Sequence, residues 1–349
     1  MKTTKVALLG FGSIGTTLSQ ILLEKKEELR EKYDTEIAIV AISTKTRGII
    51  VDAWGLDLEQ MLEYKESGKM FPPSMQSRIH QTSLDVAEKV DYDVLIEMTP
   101  LEYANGRTAT EHIKAALTRG KDVISINKGP LAWSYKELTE LAEQNGCKFM
   151  YEAAILDAIP LFSMVRENMK MCKVLEIKGI LSRTLNYLVT GMEHGREFDD
   201  IMAEGKARGF IEANPMSDLT GKESLIQMVA LANGLMDANI TPKDVELDEV
   251  ECSQGITLER IKAAAERGNC IKYICRAYRQ DGKIKISVRP EEISKFDSYA
   301  SVSGTSLAVS ITTDLMGTMT IIEEAAATEQ TGYGVFADLL TIIAARKDA

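Results

Sequence analysis

The sequence predicts an α/β chain, with a Rossmann-type doubly wound domain followed by a mixed α+β domain. Three observations carry this. Strand-like and helix-like stretches alternate over residues 1–150. A glycine turn, Gly10-Phe11-Gly12-Ser13-Ile14-Gly15, separates the first strand from the first helix. Beyond residue 150 the strict alternation ends.

The elements follow in order. Lys5–Leu9 is a short apolar run that meets the glycines, and an amphipathic, charge-rich stretch continues to Tyr33. That order is strand, tight turn, helix. Glu36–Ser43 is a second strand, and Asp93–Glu97 a third, bounded by Thr99 and Pro100. Gly106–Arg119 is helical and is closed by Gly120. Asp122–Ile126 is a fourth strand, broken by Asn127-Lys128-Gly129-Pro130, and Tyr135–Gln144 is again helical. These strands are nearly all apolar, as a sheet covered on both faces requires. Residues 47–82 read as a surface excursion. Val174–Leu181 then reads as a strand, and Phe198–Ala207, Gly221–Asn233 and Thr257–Gly268 as helices. Residues 271–278, 284–288 and 306–322 read as strands, and Gly334–Arg346 as the last helix. The expected division is 1–150 for the domain of alternating strands and helices, 151–320 for the mixed α+β domain, and 321–349 for a C-terminal segment.

Composition excludes several classes. The 349 residues hold 41 Lys+Arg against 52 Asp+Glu, a net charge of −11. Such a chain is not drawn to phosphate backbones or anionic lipid, so neither nucleic acid nor membrane is an expected partner. No apolar run approaches the roughly 18–20 residues that span a bilayer. The five cysteines contain no CxxC pair and are expected to be reduced, as in the cytoplasm. The cysteines lack nucleophile surroundings, and Cys147 is expected to be packing. His80, His112 and His194 have no metal-ligand spacing, so no metal is expected. His194, beside Gly195, is read as the neighbour of a helix end.

The glycine turn is GxGxxG. Its first glycine permits the turn, the second lets backbone approach a pyrophosphate, and the third lets helix pack on strand. The helix start then faces the phosphates, so Gly10, Phe11, Gly12, Ser13, Ile14 and Gly15 are read as cofactor-binding. A bare turn without ligand is the alternative. An NAD site usually closes its second strand with an acidic residue. Here the strand ends in Ser43-Thr44-Lys45-Thr46-Arg47, with two cations and no carboxylate. A 2′-phosphate suits that loop, so NADP is favoured over NAD, unless Lys45 and Arg47 are merely solvated. Lys128 follows the fourth strand, at the edge where parallel sheets bind ligands. It could hold a substrate oxygen and shuttle its proton. With Thr99, Pro100 and Asn127 it completes the expected cofactor edge.

These motifs are similar to the homoserine dehydrogenase family. The resemblance rests on GFGSIG (10–15), INKGPLA (126–132), YEAA (151–154), KGILSRTLNYLVTGME (178–193), GFIEANPMSDLTGKESL (209–225) and VSGTSLAVSITTDLMG (302–317). It implies a short form without a regulatory domain, in which 1–150 binds the nicotinamide cofactor, 151–320 binds substrate and forms a homodimer, and a C-terminal helix returns to the first domain. The reaction it implies is interconversion of L-homoserine and L-aspartate 4-semialdehyde with a nicotinamide cofactor. Lys128 matches the lysine beside the nicotinamide. Thr184, Glu212 and Asp218 match positions that line the substrate.

The departures cluster at the substrate site. The family's Asp and second essential Lys, four residues apart on one helix, are here Glu223 and Gln227. Positions i and i+4 share a face, but glutamine cannot titrate. Asn214 replaces an aspartate. Ile155-Leu156-Asp157-Ala158 and Glu323-Glu324-Ala325-Ala326-Ala327 replace glycine-rich stretches, and Arg183 replaces a glycine. Arg183 either pairs with Asp157 or grips a carboxylate or phosphate of a different substrate. Asp157 and Glu223 are alternative bases to Lys128. Three readings therefore stand: a homoserine enzyme, a family member with a different small hydroxy or oxo substrate, and an inactive cofactor-binding sensor.

Overall fold

The computed structural model describes residues 2–157, 159–209, 211–212, 214–324 and 328–347. The chain forms two compact units. The first takes the chain up to Pro130, Ser134–Leu161 and the C-terminal helix. The second takes Leu131–Trp133 and the chain from Phe162 to the last strand.

The first unit contains β1 (Lys2–Leu9), α1 (Ser13–Glu24), α2 (Lys26–Tyr33), β2 (Thr35–Thr44), β3 (Gly48–Val51), α3 (Leu58–Glu66), α4 (Ser83–Lys89), β4 (Val94–Glu97) and α5 (Arg107–Thr118). It continues with β5 (Asp122–Ser125), the start of α6 (Lys128–Trp133), α7 (Tyr135–Gln144) and β6 (Phe149–Met150). The sheet order is β3-β2-β1-β4-β5-β6. All neighbours are parallel except β3, which runs antiparallel to β2. Successive side chains of β1 serve opposite cores, as the two-residue repeat demands. Val6 and Leu8 join one cluster with Leu18 and Leu22 of α1, while Ala7 and Leu9 join the other with Ile113 and Leu117 of α5.

The second unit contains α8 (Leu161–Asn168, beginning at the boundary), β7 (Val174–Ile180), α9 (Arg183–Glu193), α10 (Phe198–Ala207), α11 (Met216–Leu219), α12 (Lys222–Met236), α13 (Glu249–Gln254) and α14 (Leu258–Glu266). Its strands continue with β8 (Asn269–Gln280), β9 (Lys283–Ser294), β10 (Leu307–Thr313) and β11 (Gly317–Glu323). They form an antiparallel sheet of order β11-β10-β7-β8-β9. Helix α12 is buried almost throughout its length and packs on this sheet.

The final helix, α15 (Thr328–Lys347), belongs to the first unit. Val335, Leu339, Ile342 and Ile343 enter the cluster under α1. A Cβ on Gly332 would come within 2.5 Å of Thr17, so the two helices touch closely there. Arg346 ties the tail to the sheet, donating to Asp122 Oδ2 at 2.8 Å and to the Asp93 carbonyl at 2.9 Å.

Three expectations need correction. The single helix expected up to Tyr33 is two, because Lys25 leaves helical geometry at ψ 9° and restarts the chain direction. The strand expected over 306–322 is the hairpin β10–β11, turned at Gly317 with φ +70°. The excursion at 47–82 is not all surface: it supplies β3 and α3 and buries Ile50, Met61 and Phe71 in the core.

Candidate functional site

In the first unit, the carboxyl ends of β1, β2, β4 and β5 meet at one edge. Gly10 has φ +103°, and its N–H donates to the Ser43 carbonyl at 2.8 Å. A Cβ there would lie 2.5 Å from the Met98 carbonyl oxygen, so only glycine fits. Gly15 packs against Phe11, where a Cβ would meet the ring at 3.2 Å. Gly12 differs: no heavy atom lies within 4 Å of the position its Cβ would take. No side chain caps α1, so Ser13, Ile14 and Gly15 open a helix whose first N–H groups are left for an anion. The open face at Gly12 and the uncapped helix fit a pyrophosphate.

Lys45 and Arg47 lie in the turn between β2 and β3. Lys45 is exposed and Arg47 half-buried, and the Arg47 N–H donates to Thr44 Oγ1 at 2.8 Å. The Arg47 Nε is buried without a hydrogen-bond partner. A buried guanidinium N–H aimed at no acceptor is costly, and a phosphate oxygen would satisfy it.

Asn127 caps α6, its Oδ1 accepting from the Gly129 N–H at 3.0 Å. Its Nδ2 donates to the carbonyls of Thr99 at 3.0 Å and Pro100 at 3.4 Å. The ends of β4 and β5 are thereby locked together, and half-buried Lys128 starts the helix at that junction. Asp157 also belongs to this unit, and its Oδ1 accepts from Thr331 of α15 at 3.0 Å. Leu156 and Asp157 adopt φ +56° and +52°, a conformation that suits the glycine-rich stretch they replace. Sequence reasoning missed Glu97 and His112, both fully enclosed at this edge. A single carboxylate inside the apolar run of β4 was the available signal.

In the second unit, Ser182 caps α9 by accepting from the Leu185 N–H at 3.2 Å, and its hydroxyl donates to Asp218 Oδ1 at 2.9 Å. Arg183 and Thr184 form the first turn of α9, with Thr184 buried. Glu212 is exposed on the loop before α11. Glu223 and Gln227 stand one turn apart on α12, the first half-buried and the second buried. Gln227 Oε1 is enclosed without a hydrogen-bond partner. Gly221 opens α12 at φ +76°, and a Cβ there would strike Tyr273 Oη at 2.7 Å and Cys252 Sγ at 2.8 Å. Thr184, Asp218, Glu223 and Gln227 lie in this unit, and Lys128 and Asp157 in the other. Ala158, Ala213 and Ala325–Ala327 of the departing stretches lie outside the described residues.

His194 and Cys147 both occupy structural positions, as expected. His194 follows α9, its Nδ1 2.7 Å from the Thr190 carbonyl. Burial pushes the Cys147 thiol up, away from the reactive thiolate. Among the described residues no cluster could hold a metal ion, and no helix is long and apolar enough to cross a membrane.

The fold and the glycine loop define an NAD(P)-dependent oxidoreductase. Known proteins narrow the class. The homoserine dehydrogenase NAD-binding domain matches residues 10–152, and the homoserine dehydrogenase domain matches 160–340. The chain belongs to the homoserine dehydrogenase family. It is 34% identical to the homoserine dehydrogenase of Methanocaldococcus jannaschii, over 97% of this chain and 98% of that one. It is 29% identical to the NAD(+)-dependent homoserine dehydrogenase of Pseudomonas canavaninivorans, over 98% of this chain and 97% of that one. The structure of the homoserine dehydrogenase from Thiobacillus denitrificans superposes with a TM-score of 0.82 at 25% identity, covering 98% of this chain and 74% of that one.

Proposed function

We propose that this chain interconverts L-homoserine and L-aspartate 4-semialdehyde, with NADP as the preferred cofactor and NAD as the second. The observation that carries the reading is Lys128, held by the Asn127 cap at the junction of β4 and β5 in a chain of this family. A bound nicotinamide supplies hydride acceptance and return. Lys128 hydrogen-bonds the substrate oxygen, its amine taking the hydroxyl proton on oxidation and the resulting ammonium returning it on reduction. Thr184, Glu212 and Asp218 hold the amino-acid end, Arg183 grips the carboxylate, and Glu223 is the second proton-carrying group. Lys45 and Arg47 take the 2′-phosphate, supported by the buried Nε of Arg47. The protein works as a cytoplasmic homodimer.

One observation favours a second reading. The uncharged, enclosed Gln227 stands where the family has its second lysine, so a different small hydroxy or oxo compound is the competing substrate. The test follows cofactor reduction with L-homoserine and a panel of hydroxy acids, for the parent and for Lys128→Ala. Turnover of L-homoserine that is lost in Lys128→Ala supports the first reading. Turnover of another hydroxy acid alone supports the second.

A further inference from the structure

We propose that Glu97 is a positioning residue for the cofactor edge, acting through a row of hydrogen bonds that ends at the Asn127 cap. The row begins at Ser83 of α4, whose Oγ lies 2.8 Å from His112 Nε2. His112 Nδ1 lies 3.4 Å from Glu97 Oε1. The same oxygen accepts from the Thr99 N–H at 3.2 Å and from the Thr99 hydroxyl. The Thr99 carbonyl then accepts from Asn127 Nδ2 at 3.0 Å, and Asn127 Oδ1 accepts from the Gly129 N–H.

Burial makes this row informative. Glu97 is 0% exposed and His112 2%. Enclosing a carboxylate is costly unless it is well partnered. Glu97 Oε2 takes no hydrogen bond at all, so the group is not placed there for stability alone. What its other oxygen does is hold the loop that follows β4. Glu97 fixes that loop at its start, and His112 ties the helix that the loop enters back to the same carboxylate. The loop has no slack against Lys128's helix: a Cβ on Gly129 would meet Leu101 at 3.1 Å and Gly106 at 3.2 Å. Movement of residues 98–106 therefore displaces Gly129 and its neighbour Lys128.

This inference rests on the reading of the first unit as the cofactor site, so its test measures cofactor binding directly. NADPH is titrated by fluorescence into the full-length parent, Glu97→Gln, Glu97→Leu and Ser83→Ala. Circular dichroism and urea unfolding are recorded for each. Leucine removes the acceptor and strands the Thr99 donors, and is expected to weaken NADPH binding about tenfold or more, whereas glutamine keeps an acceptor and is expected within about threefold of the parent. Ser83→Ala, which spares Glu97, is expected to weaken binding about threefold and answers the question if the leucine variant does not fold. The KM for cofactor should rise while the KM for the amino-acid substrate holds. A parent that binds no NADPH overturns the cofactor reading. A folded Glu97→Leu with parental affinity, or a glutamine variant as weak as the leucine one, overturns the role of Glu97 alone. If Glu97→Leu does not fold, parental affinity in Ser83→Ala overturns it.

Discussion

The Ser182 hydroxyl donates to Asp218 Oδ1 at 2.9 Å while its oxygen accepts from the Leu185 N–H, so one side chain both starts α9 and orients a carboxylate of the second unit. Ser182→Ala removes both bonds. Loss of the cap is expected to cost about 1 kcal/mol, read from the urea midpoint. The KM for the amino-acid substrate should rise with it, and the affinity for NADPH should stay at the parent's value. An unchanged substrate KM would mean that Asp218 needs no such orientation.

Gly10 and Gly12 separate folding from binding. At Gly10 the φ of +103° and the 2.5 Å approach of the Met98 carbonyl oppose any side chain, so Gly10→Ala is expected to lose about 1–3 kcal/mol of stability. Gly12 has open space and an extended backbone. Gly12→Ala is expected to unfold like the parent yet bind cofactor poorly, because the methyl group occupies the approach to the helix start. Urea unfolding and NADPH titration of the two variants check this contrast.

Arg47 is expected to discriminate between the cofactors. Arg47→Ala should raise the KM for NADP by about tenfold, through loss of a charge-assisted pair, and change that for NAD little. Equal effects on both would remove the 2′-phosphate role.

Burial also makes the second unit sensitive to alkali. It pushes the Cys275 thiol up to about 12. An unfolded thiol titrates near ~8.5, so the folded state holds its proton where the unfolded state has lost it. The stability this contributes is complete below the unfolded value and declines as pH rises toward the folded one. The urea midpoint should therefore fall as pH rises above about 8.5, and fall less steeply in Cys275→Ala. Tyr273 and Tyr299, raised by burial as well, add to the loss at higher pH.

Local chemistry made much of this legible in the sequence. The glycine loop could be read because each glycine answers to its own backbone, and Lys128 because a strand end followed by Gly-Pro is a local signal. The break at Lys25 was not legible, since charges continue without interruption across it. Strand β3 was hidden because four residues beside a turn owe their pairing to β2. The row from Ser83 through His112 to Glu97 joins three elements, and only the packing of α4 and α5 on the sheet brings its members together. Gln227 was legible as a departure from the family, while its enclosed oxygen required the packing of α12.

In the proposed reaction hydride leaves L-homoserine while Lys128 stands at the reacting oxygen. The most direct measurement uses L-homoserine deuterated at the hydroxyl-bearing carbon and follows the nicotinamide ring of the cofactor by NMR. Deuterium should appear in the reduced ring with the parent protein, and not with Lys128→Ala, although that variant still binds cofactor. A parent that binds both ligands and transfers no deuterium would contradict the account, as would a Lys128→Ala variant that transfers it at the parental rate.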